Sequence, residues 1–268
     1  MTVSRPVTKT KILSVTPLDG RIFKLTIPAP PGSWQDPGVL AKLRYWPKAP
    51  GPYPLLDRPF SVHRAYEENG LPKLDFLIRR TGPATGWLAE SLPDTPIQIT
   101  GPIGRGLLEL CPELLAQPLY LAAGGIGLAP MGSLLTRLKE KAFLFYGERS
   151  AKNQISEQYL KSLTENYTAT SEDGLGYGIK GLLTQPLEEA LEKEKRAVFA
   201  CGPAPLLAAL AGCARKFGVK FWVSAEAFMA CGLGVCLSCS IPLLDGRRML
   251  LCQEGPAADG LRIDWSRR

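Results

Sequence analysis

Four cysteines near the end of the chain constrain its structure more than any other feature. Cys231, Cys236 and Cys239 lie on one short segment, and Cys252 follows, which gives the spacing C-x4-C-x2-C-x12-C. This is the plant-type arrangement of thiolates that hold a [2Fe–2S] cluster, and such a cluster takes four ligands. The spacing therefore predicts a two-iron cluster bound by these four residues.

The residues around the cysteines favour a compact loop closed by a hairpin. Gly232 and Gly234 let the backbone turn tightly, so that amide groups point toward the sulfur atoms. An Asp245-Gly246 turn between two short β-rich runs predicts a hairpin that carries Cys252 back to the loop. Two alternatives stay open: a four-thiolate zinc site in a non-catalytic binding module, or ordinary buried cysteines. Zinc ribbons usually have two short cysteine pairs, whereas this chain has a triplet and a single cysteine.

The size and apolar content of the chain fit two compact domains with a small appendage. It has 268 residues, of which 45% are hydrophobic, and this is enough to bury substantial cores. No apolar run reaches the roughly 18 residues of a membrane span, and the first residues lack the apolar core of a signal peptide. Cys111, Cys201 and Cys213 lie on separate segments, so no disulfide framework is expected. We expect a cytoplasmic protein in a reducing compartment, with no membrane contact.

The charge distribution argues against nucleic-acid binding. The net charge is +7, from 32 Lys and Arg against 25 Asp and Glu. The basic residues are spread along the chain and form no block with interleaved aromatic residues. A mildly basic surface instead favours anionic nucleotides or an acidic partner.

The first 103 residues are typical of a small antiparallel β-barrel. Short β-rich runs such as Thr8–Val15 and Pro59–Ala65 alternate with glycine- and proline-containing turns. Arg58-Pro59-Phe60-Ser61 sets a permanent cation, a fixed turn, a ring and a hydroxyl at the start of one strand. The segment 77–85 leads from a strand into a helix start, and together the two segments can hold a diphosphate. A surface arginine at a strand end would explain the first segment about as well.

Residues 104–223 alternate strands with helices, which predicts a doubly wound parallel sheet. A glycine turn, Gly124-Gly125-Ile126-Gly127-Leu128-Ala129-Pro130, follows an apolar strand and precedes a helix. A second turn, Cys201-Gly202-Pro203, stands in the same relation to a later strand. Ligands of such sheets bind at the carboxyl ends of the strands, where glycines let the backbone approach a pyrophosphate. The glycine spacing differs from the full dinucleotide fingerprint, so the turn alone is a moderate signal.

In this order, the motifs resemble the ferredoxin reductase superfamily, and most closely the electron-transfer subunits of class 1B dihydroorotate dehydrogenases. The similarity covers nearly the whole chain, including Gly101-Pro102-Ile103-Gly104 at the domain junction and Glu172-Asp173-Gly174. It implies an FAD-binding barrel over residues 1–103, a NAD(P)-binding α/β domain over 104–223 and a small [2Fe–2S] subdomain over 224–268.

The resemblance also implies which residues hold each cofactor. For FAD they are Arg58, Pro59, Phe60, Ser61, Leu77, Ile78, Arg79, Ala84 and Thr85. For NAD(P)H they are Gly124, Gly125, Gly127, Pro130, Cys201, Gly202 and Pro203. The cluster ligands are Cys231, Cys236, Cys239 and Cys252. No acid–base or nucleophilic catalytic residue is expected, because cofactors carry this chemistry.

The implied function is electron transfer between NAD(P)H, FAD, a [2Fe–2S] cluster and a separate catalytic subunit. That partner would be an FMN-containing dihydroorotate dehydrogenase of pyrimidine biosynthesis, in a heterotetramer. Reductase subunits of a hydrogenase, a sulfide-linked reductase or a ferredoxin:NADP oxidoreductase have the same build and remain alternatives. The chain departs from its relatives at Ala84, where they often have glycine, and at Phe228, where they often have arginine.

Two further residues carry open expectations. His63, the single histidine, follows the Arg-Pro-Phe-Ser segment, and a structural role is favoured over a flavin contact. At the end of the second α/β strand, Glu148 would favour NAD by bonding the ribose, whereas Arg149 would accommodate the phosphate of NADP. The resemblance favours NAD.

Overall fold

The barrel is built by eight strands within the described part of residues 6–103. The computed structural model describes residues 6–19, 21–45 and 56–268. The strands are β1 (Val7–Lys11), β2 (Ser14–Pro17), β3 (Ile22–Pro28), β4 (Leu40–Tyr45), β5 (Arg58–Ser61), β6 (Arg64–Glu68), β7 (Leu71–Arg79) and β8 (Pro96–Ile103). They form two sheets, in the orders β1-β8-β4-β5 and β2-β3-β7-β6, and every pairing is antiparallel. The antiparallel barrel predicted from the sequence is confirmed.

The side chains of the barrel strands alternate between core and surface. In β8, Ile97, Ile99 and Ile103 are buried and alternate with more exposed residues, as a strand with one core-facing side requires. Phe76 and Trp34 fill the same core. A short helix, α1 (Pro83–Ala89), follows β7.

Two strands predicted as continuous are divided in the structure. The run Thr8–Val15 divides between Ile12 and Leu13: the Ile12 amide still donates to the Thr95 carbonyl beside β8, at 2.9 Å, whereas the Leu13 amide donates to the Thr26 carbonyl of β3, at 2.8 Å. The chain then crosses from the β1 sheet to the β2 sheet. The run Pro59–Ala65 divides in the same way, into β5 and β6, at Val62 and His63. Hydrophobic pattern alone does not reveal where a strand changes sheets.

The later strands form one seven-stranded sheet and one hairpin. They are β9 (Leu119–Gly124), β10 (Ala142–Glu148), β11 (Tyr167–Ser171), β12 (Ile179–Lys180), β13 (Ala197–Cys201), β14 (Phe221–Ser224), β15 (Ser240–Pro242), β16 (Arg248–Leu250) and β17 (Ala257–Asp259). The sheet order is β12-β11-β10-β9-β13-β14-β17, with β17 antiparallel and all other pairs parallel. The predicted parallel sheet is confirmed, and the C-terminal segment adds an edge strand to it. The hairpin predicted before Cys252 is the pair β15 and β16.

Helices cover both faces of this sheet. They are α2 (Leu107–Leu110), α3 (Met131–Leu138), α4 (Glu157–Leu163), α5 (Thr184–Lys193), α6 (Ala204–Phe217) and α7 (Leu251–Glu254), with 3₁₀ turns at Pro112–Ala116, Gly125–Leu128, Lys139–Lys141, Ala151–Asn153 and Trp265–Arg267. Helices α3 and α4 pack on one face, and α5 and α6 on the other. Every residue of the central strand β9 is buried, which is why its sequence is uninterruptedly apolar. Within the described ranges, no helix combines the length and apolar character needed to cross a bilayer.

His63 fastens the barrel to the α/β domain. Its ring is fully buried, with Nδ1 2.8 Å from the Ala129 carbonyl and Nε2 3.0 Å from the Tyr159 hydroxyl. Burial lowers the pKa of the imidazole to about 4, so the neutral ring donates from Nδ1 to the carbonyl and accepts at Nε2 from the hydroxyl. A Cβ on Gly132 would lie 2.5 Å from this ring. His63 therefore has a packing role at the joint.

Candidate functional site

The carboxyl ends of the parallel strands open onto one cleft of about 660 Å³, a volume typical of small-molecule sites. Five residues predicted to bind NAD(P)H line it together: Gly124, Gly125, Gly127, Gly202 and Pro203. Two others do not line it. Cys201 is buried at the end of β13, and Pro130 is the N-cap residue that precedes α3. The two glycine turns, 77 residues apart in the sequence from Gly125 to Gly202, thus form a single site.

The floor of the cleft is formed by backbone packed against backbone. A Cβ on Gly127 would lie 2.1 Å from the Cys201 carbonyl oxygen, and one on Gly124 would lie 2.4 Å from a methyl carbon of Leu206. The Gly127 position has no room for a side chain, and at Gly124 the Leu206 side chain would have to move. Burial raises the pKa of the Cys201 thiol, so this residue packs as a neutral group beneath the turns. A glycine-lined floor fits a ligand whose phosphates approach the main chain closely.

An ion pair crosses the cleft from the barrel to the α/β domain. Arg79, at the end of β7, donates from Nη2 to Oε1 of Glu148, at the end of β10. Burial raises the pKa of the Glu148 carboxyl, and the Arg79 charge opposes that shift. The Nε of Arg79 is buried without a hydrogen-bond partner among the described residues. An unsatisfied guanidinium donor beside glycine turns fits an anionic dinucleotide.

The same ion pair changes the expectation for nicotinamide selection. Glu148, predicted to bond the adenine ribose, is engaged with Arg79. Arg149 and Glu172 also line the cleft, and Glu172 follows directly after strand β11. Glu172 is part of the family resemblance in the nucleotide domain, which implies no site role for it. The signal available was its position after a buried parallel strand, the location where ligand contacts gather.

The residues predicted to hold FAD divide into two groups. Arg58 and Ala84 line a common small pocket with Tyr45 and Trp87, so the Arg-Pro-Phe-Ser strand and the start of α1 do meet in space. Arg58 is exposed, and its Nη1 donates to the Leu56 carbonyl at 3.0 Å. A solvent-facing guanidinium at this pocket fits the anionic part of a flavin nucleotide.

The second group of predicted FAD residues lies on β7 and α1. Leu77 and Ile78 are buried in cores, so their side chains serve packing, and Arg79 is the residue of this strand that reaches the cleft. The Thr85 hydroxyl accepts hydrogen bonds from the amides of Thr81 and Gly82 at 2.9 and 3.1 Å. It caps its own helix. Pro59, Phe60 and Ser61 belong with Arg58 in the first group and are half-buried on the edge strand β5.

The four predicted cluster ligands lie together at one end of the molecule. Cys231 and Cys236 are linked by two amide-to-sulfur contacts of 3.5 Å. Cys252, on α7, is hydrogen-bonded to Cys239 and interacts electrostatically with Cys231. The Gly234 amide donates to Cys252 Sγ at 3.1 Å. The seven cysteines, all of which lie within the described residues, form no disulfide, and these four are neighbours on the cysteine loop and α7.

Hydrogen bonds prepare the loop to hold thiolates. The Ser238 hydroxyl lies 3.1 Å from Cys236 Sγ, and with backbone amides it lowers the pKa of Cys236 to about 6. Burial, followed by the Cys239 contact, raises the pKa of Cys252 to about 11. Donors aimed at sulfur stabilise the anionic form that binds iron. Gly234 has a φ of +79°, a left-handed conformation that glycine adopts without strain.

The four thiols are not gathered around a single point in the described structure. Among the described residues, no three His, Cys, Asp or Glu side chains are grouped to hold one metal ion. In a [2Fe–2S] cluster each iron takes only two protein thiolates. The four thiols therefore need not converge on one point.

Known proteins are similar to this chain in its C-terminal segment and over nearly its whole length. A sequence model described as the iron–sulfur cluster binding domain of dihydroorotate dehydrogenase B matches residues 226–264. The dihydroorotate dehydrogenase B (NAD(+)) electron transfer subunit of Clostridium acetobutylicum is 31% identical over 257 residues, covering 94% of this chain and 95% of the relative. The electron transfer subunit homolog of Aquifex aeolicus is 30% identical over 252 residues, covering 92% and 94%.

A solved structure has the same fold as this chain over nearly its whole length. A chain from the structure of the NADH-dependent reduced ferredoxin-NADP oxidoreductase, studied for flavin-based electron bifurcation, aligns with a TM-score of 0.76. The alignment covers 96% of this chain and 90% of that one, at 23% identity, and it shows a shared fold. With a relative 31% identical along 94% of its length and a cluster-domain match at its C-terminus, the chain belongs to the dihydroorotate dehydrogenase B (NAD+) electron transfer subunits.

Proposed function

We propose that this chain passes electrons between NAD(H), FAD, a [2Fe–2S] cluster and a separate FMN-containing dihydroorotate dehydrogenase subunit, with which it forms a heterotetramer. One observation carries the proposal. The segment that leaves strand β14 contributes Glu226 to the cleft and then becomes the cysteine loop, beginning at Cys231. The nucleotide site and the cluster site are thus consecutive parts of one structural unit.

Each site of the chain has a distinct task in this function. FAD held by the barrel would convert the two-electron chemistry of a nicotinamide into single-electron transfer, and a cluster held by the four cysteines would supply a one-electron relay. The glycine turns at Gly124–Gly127 and Gly202 admit the dinucleotide backbone to the cleft. Arg79 and Arg58 supply cations for the phosphate groups. The amides and the Ser238 hydroxyl directed at the cysteine sulfurs favour the thiolate ligands.

Exposed apolar side chains surround the cysteine loop and support an exit for electrons there. Phe228 is 92% exposed and Val235 is 78% exposed, and Leu233 and Leu237 are exposed beside them. Cys236 itself reaches solvent. Apolar groups gathered at one surface are typical of a protein interface. We propose that the catalytic subunit covers this loop, which would bring its own cofactor close to the cluster.

The decisive experiment divides the activity between the two subunits. The purified holo-chain should reduce an artificial acceptor with NADH and should leave dihydroorotate unoxidised, because both of its domains are committed to FAD and nicotinamide. Adding a purified catalytic subunit should give dihydroorotate-dependent NAD+ reduction, and size-exclusion chromatography with light scattering should give a two-plus-two complex. Dihydroorotate oxidation by this chain alone, or a colourless chain that contains zinc, would contradict the proposal.

A further inference from the structure

Lys42 is a buried cation between the barrel and the cysteine loop. It lies on β4 and is 6% exposed, and within residues 6–19, 21–45 and 56–268 no other lysine or arginine is buried. Burying an ammonium group is unfavourable unless hydrogen bonds and opposite charges compensate it. The contacts of its Nζ atom therefore indicate what its position serves.

One contact joins Lys42 to the cysteine loop. Nζ donates to the carbonyl oxygen of Ala230 at 2.5 Å, and Ala230 immediately precedes Cys231. The side-chain stem of Lys42 also supports the loop on the other side of that cysteine, since a Cβ on Gly232 would lie 3.2 Å from Lys42 Cδ. Lys42 is thus hydrogen-bonded to one neighbour of the first cluster ligand and leaves no free space for a side chain at the other.

The other contacts join Lys42 to the predicted flavin strand. Nζ lies 3.9 Å from Oδ2 of Asp57, the residue before Arg58, and the strand register places Lys42 opposite Pro59. Asp57 is shared with Arg44, whose Nε lies 3.2 Å from Oδ1. The three side chains together carry one net positive charge. Asp57 therefore does not cancel the field of the ammonium at the loop.

On the basis of the function proposed above, we propose that Lys42 is a positioning residue that seats the cluster loop on the flavin-binding barrel and raises the reduction potential of the cluster. Reduction adds one negative charge to the cluster, and a nearby buried cation stabilises that form. A buried charge is screened little by salt. The position of Lys42 between the two redox sites lets one side chain set both the docking of the loop and the driving force for electron arrival.

Four variants of the full-length holoprotein separate these two roles. Lys42→Met removes the charge and the donor, Lys42→Gln keeps a donor without the charge, and Lys42→Arg keeps both. Lys9→Met removes an exposed lysine of β1 and is the control for net charge. Iron content measures seating of the loop, and a dithionite titration followed by EPR measures the cluster potential without NADH or a partner subunit.

We expect Lys42→Gln to lower the cluster potential by about 59 mV or more, which is a tenfold change in a one-electron equilibrium. Lys42→Arg and Lys9→Met should stay close to the wild-type value, and Lys42→Met should also lose iron. A wild-type cluster potential in both Lys42→Gln and Lys42→Met would overturn this inference and leave the proposed function intact. So would equal loss of iron in Lys42→Arg and Lys42→Met, because shape and not charge would then be decisive. A wild-type chain without an iron–sulfur signal would overturn the proposed function and this inference with it.

Discussion

The cleft and the cysteine loop both depend on glycine, but they use it in opposite ways. In the cleft, Gly127 is required because the Cys201 carbonyl occupies the space of a side chain. In the loop, Gly234 supplies a left-handed turn that aims its amide at Cys252 Sγ. The cleft is therefore specified by packing, which excludes added atoms, and the loop by sulfur chemistry and donor direction. The two sites should fail in different ways when residues are changed.

The largest effect is expected at the loop. Cys252→Ser should abolish cluster assembly, because Cys252 is buried next to Cys239 and a two-iron cluster needs four thiolate ligands. The matched control is Cys213→Ser, which removes a buried thiol of α6 that contacts Glu188 instead. Iron and sulfide analysis measures the result. A wild-type iron content in Cys252→Ser together with its loss in Cys213→Ser would show that the ligand assignment is wrong.

The next prediction concerns His63, which joins the barrel to the α/β domain, and the change in folding stability with pH. The pKa of His63 is lowered to about 4 in the folded chain, against an ordinary value of about 6.5. As the pH falls, His63 therefore takes up a proton in the unfolded chain before it does so in the folded chain. The free energy of unfolding should fall by about 3 kcal/mol in all as the pH drops from about 6.5 to 4.

Urea unfolding of the wild type and His63→Gln at several pH values in this window tests the effect. The variant should lose most of the pH dependence. The raised pKa of Glu148 makes the free energy of unfolding increase as the pH falls, which opposes the effect of His63. The test is therefore the difference between wild type and variant in the slope of unfolding free energy against pH. Equal slopes would exclude His63 as the source.

A smaller effect should follow from filling the floor of the cleft. Gly127→Ala places a methyl group 2.1 Å from a backbone oxygen, and overpacking of this kind costs about 1–3 kcal/mol. NADH affinity should fall roughly tenfold or more, while the iron content stays unchanged. Gly212→Ala is the control, because its added Cβ would meet nothing within 4 Å. Isothermal titration with NADH measures the affinity, and wild-type binding by Gly127→Ala would contradict a packing-defined cleft.

The smallest expected effect concerns the choice between NADH and NADPH. Glu172 and Glu226 also line the cleft, and Glu148 is held by Arg79. Glu172 directly follows β11, the parallel strand beside β10, so we expect it to bond a ribose and to repel a 2′-phosphate. Glu172→Gln should narrow the NADH preference in kcat/KM by roughly tenfold. Glu165→Gln removes the same charge outside the cleft and should change nothing. If the wild type preferred NADPH and Arg149→Ala lost that preference, Arg149 and not Glu172 would determine the choice of nicotinamide.

The parts of the fold that could be predicted from the sequence are those fixed by local patterns. The cysteine spacing, the glycine turns after apolar strands and the Asp245-Gly246 hairpin each involve residues close in sequence. The missed features join distant residues. Lys42 meets Ala230 across 188 positions, and Arg79 meets Glu148 across 69. No sequence period reports such contacts, because tertiary packing decides them.

The edge strand β17 was missed for a related reason. Ala257–Asp259 is three residues long, too short to give a strand pattern of its own, and it is defined by pairing with β14. This pairing draws the C-terminal segment into the nucleotide-binding sheet. The boundary predicted at residue 224 therefore crosses a continuous sheet, and the cluster loop shares a core with it through Cys239 and Cys252.

We propose that the cleft and the cysteine loop act in series within this one chain. The most direct measurement is anaerobic addition of NADH to the isolated holoprotein, with flavin followed by visible absorbance and the cluster by EPR. The account predicts that NADH bleaches the flavin and produces the EPR signal of a reduced two-iron cluster without any partner subunit. Flavin that bleaches while the cluster stays oxidised, in protein whose cluster dithionite does reduce, would contradict it.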